Sequence, residues 1–158
     1  MLSPDEFSVG HIASARGLTL VLPVDQYDHL ILVTMVDTEP TAILLDDRDQ
    51  FEAFGCQANT NYKGILIPDV RIEVDETRVF DAAGRWAVPG MIVRRDDSLF
   101  ICARANRQPG SNRLVALQRG LVACEPSLAI GFSRWQIVVG DGHNKRTLKF
   151  IDLESRPN

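Results

Sequence analysis

The chain has 158 residues, 45% of them hydrophobic and 24% charged, with 11 glycines, 8 prolines and 3 cysteines. Those fractions exclude a disordered, collagen-like or coiled-coil chain, and the length suits one globular domain over residues 1–158 that buries its own core. The net charge is -4, but residues 25–81 hold 13 acidic and 4 basic side chains whereas residues 82–158 hold 6 and 12.

Ser3-Pro4-Asp5-Glu6 has the form of a helix start. Ser3 can cap, Pro4 suits the first turn, and Glu6 completes a capping box. A short helix is therefore predicted over residues 4–15, interrupted by Gly10. Residues 18–22 (LTLVL) read as a strand ended by Pro23. Residues 29–36 form a continuous apolar run, as expected of a strand buried on both faces. The turn Asp37-Thr38-Glu39-Pro40 leads into a return strand over residues 41–45, so this stretch predicts a hairpin. Asp46 or Asp47 can cap a helical turn over residues 48–54, stopped by Gly55.

Residues 55–64 are a polar loop. Residues 69–75 (DVRIEVD) alternate, with Val70, Ile72 and Val74 on one face and Arg71, Glu73 and Asp75 on the other. Pro89-Gly90 and Asp96-Asp97 mark two successive hairpins, between residues 86–88, 91–95 and 98–104. Residues 106–112 (NRQPGSN) are a loop, and residues 113–122 fit either helix or strand. Residues 134–139, the Gly140-Asp141-Gly142 turn and residues 145–151 predict a last hairpin, with the tail fraying from about 154. The fold class is mainly β, leaning towards α+β. It is an antiparallel barrel or sandwich with a short N-terminal helix and one or two short helical turns.

Catalytic signatures fail on their surroundings. The Gly140–Asn144 stretch lacks the third glycine and the following helix of a dinucleotide loop. Gly131-Phe132-Ser133 lacks the second glycine of a nucleophile elbow. Cys56, in a polar loop, is the weak candidate nucleophile, and it would need His11, His29 or His143 as a base. Cys102 and Cys124 sit in apolar surroundings and read as core residues. No metal or cofactor site is expected, because the Cys/His spacing of zinc sites and the loop pattern of calcium sites are missing.

Arg94, Arg95, Arg104, Arg107, Arg113 and Arg119 bracket the 106–112 loop and form the candidate anion-binding constellation. Aromatic residues do not interleave with them and the chain is net acidic, which argues against specific nucleic-acid binding. The acidic N-terminus lacks a signal-peptide pattern, and no apolar run reaches membrane-spanning length, so a soluble cytoplasmic protein is expected. The leading expectation is a β-rich module acting by protein contact, as a homo-oligomer and most simply a dimer. The alternatives are an anion or small-molecule binder using the arginines, and an enzyme built on Cys56 and a histidine or on carboxylates.

Overall fold

The computed structural model describes residues 9–12, 15, 17–23, 30–36, 39–46, 51–55, 63–77, 79–81, 88–95, 98–104, 112–117 and 130–155. Six strands come first: β1 (Val9–His11), β2 (Thr19–Pro23), β3 (Ile31–Val36), β4 (Glu39–Leu44), β5 (Ala53–Gly55) and β6 (Lys63–Ile67). They form one antiparallel sheet in the order β1-β6-β2-β3-β4-β5. The apolar run and its return are the β3–β4 hairpin, paired from Ile31 opposite Leu44 to Val36 opposite Glu39. The sheet is buried on both sides, as the continuous run implies. Leu20, Leu32 and Ile43 face the main core, and Val21, Ile31, Val33 and Ala42 face a second cluster with Ile12 and Ala15.

The second half supplies β7 (Arg71–Val74), β8 (Val79–Asp81), β9 (Ile92–Arg95), β10 (Ser98–Arg104), β11 (Asn112–Ala116), β12 (Ile130–Phe132), β13 (Arg134–Val139) and β14 (Arg146–Asp152). A five-stranded sheet runs β11-β10-β9-β12-β8, and a three-stranded sheet runs β14-β13-β7. One antiparallel ribbon serves both. Its strands β7 and β13 pair in the smaller sheet, and their continuations β8 and β12 pair in the larger one. The single residue Ser133 separates β12 from β13, so the chain changes sheet at a corner. All three sheets contribute to the main core, which includes Leu32, Phe51, Phe100, Ile101, Phe132, Trp135 and Ile137. The architecture is mainly antiparallel β and sandwich-like.

Two helical expectations give way to strands. Residues 9–11 of the expected N-terminal helix are β1, because pairing with β6 (Val9 opposite Ile65) overrides the local capping signal. Residues 53–55 are β5, paired to β4, where a helical turn is expected over residues 48–54. Residues 4–8 and 48–50 lie outside the described residues. The ambiguous stretch from 113 is strand as far as Ala116, in register with β10. The tail is also held further than expected. Leu153–Ser155 form a 3-10 turn, and the Ser133 hydroxyl donates to Glu154 Oε2 at 2.7 Å. Among the described residues, no helix is long and apolar enough to cross a membrane.

Candidate functional site

Of the six candidate arginines, the side chains of Arg94 and Arg104 are described, and each is already held by a carboxylate. Arg94, on β9, grips Glu76 with both prongs, Nη1 to Oε1 at 2.7 Å and Nη2 to Oε2 at 3.3 Å. Its guanidinium also lies over the Phe132 ring, 4.9 Å from the centroid. The hydrogen bond from Arg94 holds the Glu76 carboxyl below the ordinary glutamate range, and Glu76 raises the pKa of Arg94 in return.

Arg104 ends β10, and its Nη2 meets Glu52 Oε2 at 3.3 Å. This pair is much drier: the side chains are 18% and 11% exposed. Glu52 is carried there by an unusual backbone. Phe51 is 2% exposed yet has φ 52, a left-handed conformation that bulky residues rarely adopt. The Phe51 amide donates to the Asp46 carbonyl, and the Leu44 amide donates to the Glu52 carbonyl, which ties the turn to β4. Strain of this kind persists only where the surroundings over-determine it.

The surroundings are Gly90, Cys102 and Trp135. Met91 N–H donates to Val88 O across the Pro89-Gly90 turn, with Gly90 at φ 93. A Cβ on Gly90 would overlap the Phe51 ring, reaching Cδ2 and Cζ at 2.8 Å. The buried Trp135 indole donates to Gly90 O at 2.8 Å, and the Gly90 amide donates to Cys102 O at 2.8 Å. Elements of all three sheets therefore meet around Phe51.

β10 keeps the two arginines apart. Arg94 is opposite Leu99, five residues before Arg104, so about 17 Å of strand separates them. Arg95 faces Ser98, near Arg94, and Arg113 faces Ala103, near Arg104. Arg107 and Arg119 lie outside the described residues, as do Cys56, Cys124 and His29. Burial pushes the Cys102 thiol up to about 12, which leaves it un-ionised and inert at neutral pH. His11 and His143 are exposed. Among the described residues, no group of three or more His, Cys, Asp or Glu side chains could hold a metal ion. The Gly140–Asn144 stretch is the hairpin connection expected of it, with Gly140 at φ 83 and Gly142 at φ 56.

A second surface lies on the outer side of the three-stranded sheet. Register sets Glu73, Gln136 and Phe150 in one row, and Arg71, Val138 and Thr147 in the next. A polar network crosses the strands: Thr147 donates to Gln136, and Gln136 and Lys145 both donate to Glu73 Oε1, at 3.2 and 2.6 Å. The Lys145 hydrogen bond lowers the Glu73 pKa. Arg71 bonds the Gly140 carbonyl at 2.6 Å and pairs with Asp141. The polar side of the alternating strand is thus salt-bridged, with partners from the neighbouring hairpin. Beside this network Phe150 is 55% exposed.

The family model described as "Uncharacterised protein y4lG" matches residues 9–158, from the first residue of β1 onward. The chain belongs to this family. A relative from Sinorhizobium fredii (strain NBRC 101917 / NGR234), "Uncharacterized protein y4lG", is 39% identical over 148 residues, covering 94% of this chain and 91% of the relative. No solved structure matches the chain. The matched span contains all fourteen strands of the described residues, so both paired arginines, the Phe51 turn and the Phe150 face fall within it.

Glu52, Glu76 and Gly90 are the residues of these sites that sequence reasoning misses. Glu76 is 18 and Glu52 is 52 positions from its arginine. With 21 acidic residues in the chain, no local pattern singles these two out.

Proposed function

We propose that this family member is a cytoplasmic β-rich module that works by protein contact and assembles with a second copy of itself, most simply as a dimer. The observation that carries the reading is a division of charge along the chain. The six-stranded sheet is drawn from residues 9–67, and residues 1–67 hold 10 acidic and 3 basic side chains. The other two sheets come from residues 71–152, and residues 68–158 hold 11 acidic and 14 basic. Opposite charge on the two segments would orient encounter, but it is screened over about 8 Å at physiological salt. An apolar anchor must therefore hold the contact, and Phe150 on its ion-paired face supplies one. Light scattering at tens of micromolar tests this. A dimeric mass that falls to the monomer in Phe150→Ser, and only modestly with salt, supports the reading. A monomeric parent in low salt sinks it.

One observation favours a second reading, an anion or small-molecule site around Arg104. Its Nε is buried and meets no hydrogen-bond acceptor among the described residues. Calorimetric titration with inorganic phosphate, repeated on Arg104→Gln, tests this reading. The absence of binding heat in the parent rejects it.

A further inference from the structure

Asp141-Gly142 is the one place in the chain where an aspartate or asparagine precedes a glycine. In such a pair the main-chain nitrogen of the glycine can attack the aspartate Cγ, because no side chain beside it shields the approach. The N–Cγ bond forms, a Cγ–O bond breaks, and one water leaves with the amide proton and a carboxyl oxygen. The product is a five-membered succinimide. Solvent water then opens the ring. Attack at Cγ restores aspartate, and attack at the main-chain carbonyl leaves the chain running through the β-carboxyl, as isoaspartate.

The fold gives this chemistry room. Asp141 and Gly142 lie in the connection between β13 and β14, beyond the last ladder pair of Val139 and Arg146. The Asp141 side chain is 95% exposed, so water reaches it. Its carboxylate caps no amide of the 3-10 turn at Gly142–Asn144. Among the described residues, nothing lies within 4 Å of the point where a Cβ on Gly142 would stand. The same fold also supplies a restraint. Asp141 is extended, at φ -126 and ψ 151, and must turn about its Cα–C bond before Cγ can meet the Gly142 nitrogen. Arg71, on the neighbouring strand β7, opposes that turn. Its Nη2 donates to the Gly140 carbonyl at 2.6 Å, and its Nη1 meets Asp141 Oδ1 at 3.2 Å. One guanidinium thus holds both the main chain before Asp141 and the carboxylate that has to move.

We propose that Asp141 is a site of spontaneous isoaspartate formation, slowed by the Arg71 brace. This modification needs no reactant but water, and it is independent of the protein-contact and anion readings.

Incubating the folded full chain in heavy-oxygen water, then digesting it in ordinary water, tests both parts. Trypsin releases residues 135–145 as one peptide, between Arg134 and Arg146. Each passage through the ring places a heavy oxygen on Asp141, and electron-transfer fragmentation locates it and separates isoaspartate from aspartate. Heavy oxygen should accumulate at Asp141 faster than at any other aspartate, with isoaspartate appearing beside it. Gly142→Ala, which crowds the attacking nitrogen, should cut the uptake to the level of the other aspartates. Arg71→Met should raise the initial rate at Asp141 about two- to fivefold, the restraint that one part-exposed ion pair and hydrogen bond supply. Arg71→Lys keeps the charge but loses the two-pronged grip, and should fall between the parent and Arg71→Met. Uptake at Asp141 no greater than at the other aspartates of the parent overturns the site. Rates in both Arg71 variants that match the parent, or that rise equally at every aspartate, overturn the brace.

Discussion

Replacing Gly90 with alanine should destabilise the protein through two separable causes. The first is conformational: φ 93 lies in the left-handed half of the map, where an L side chain costs about 1–2 kcal/mol. The second is steric, because the new methyl would overlap the Phe51 ring. That ring cannot easily retreat, since Phe51 is 2% exposed and its backbone is pinned by the bond to Asp46. Overpacking of a rigid core site costs about 1–3 kcal/mol. Together they predict a loss of about 2–5 kcal/mol, or on the order of 10 °C in Tm for a chain of this size. Gly142→Ala is the control: it too has positive φ, at 56, but nothing lies within 4 Å of its Cβ. It should lose only the conformational part, about 1–2 kcal/mol. Urea unfolding of both variants followed by tryptophan fluorescence gives the comparison. Equal losses in the two would refute the claim that Phe51 and Gly90 are fitted to each other.

For the dry ion pair, Glu52→Gln and Arg104→Met should each cost about 2–3 kcal/mol by stranding a partner, while the double variant returns to within about 1 kcal/mol of the parent; strictly additive losses in urea would refute the coupling. Cys102 should resist thiol reagents in the native protein and label only on unfolding, a result checked by mass spectrometry. Between pH 9 and about 12 the unfolded thiol ionises while the buried one does not, so its contribution to stability declines as pH rises through that window, and Cys102→Ala should flatten the decline. At the acid end the sign reverses. Glu73 and Glu76 have lowered pKa values, so what they contribute is present at neutral pH and is lost as pH falls through those values. Carboxyl NMR titration should show Arg94→Gln returning Glu76, but not Glu73, towards the ordinary range.

Three hairpins were legible in the sequence where turn chemistry stood between two apolar runs; the one expected across Pro89-Gly90 was not, since both edges of β9 are taken by β10 and β12 and residues 86–87 lie outside the described residues. Asp37 to Pro40 announces β3 and β4, Asp96-Asp97 announces β9 and β10, and the Gly140 turn announces β13 and β14. The unbroken apolar character of residues 31–34 also foretold burial on both faces, and all four are at most 1% exposed. What was not legible depends on distant partners. β1 is a strand because β6 waits for it more than fifty residues later, against a local signal that favours helix. Phe51 turns left-handed without a glycine or asparagine to warn of it. The arginine constellation is contiguous in sequence, but it is drawn out along β10, and its carboxylate partners lie in other segments.

The corner at Ser133 bears on how this chain can fold. Because β7–β8 and β12–β13 form one ribbon with an arm in each sheet, neither the five-stranded nor the three-stranded sheet is complete until residues some sixty positions apart have met. Local nucleation cannot finish either sheet alone, so the two should melt as one cooperative unit. Closing such a large loop before most contacts are made places the chain among slow, topology-limited folders. The corner is clamped from some twenty residues downstream, through Leu153 to the Ser133 carbonyl and Glu154 to its hydroxyl. A nascent chain released before residue 153 would therefore carry nearly every strand and still lack the contacts that set the angle between its sheets.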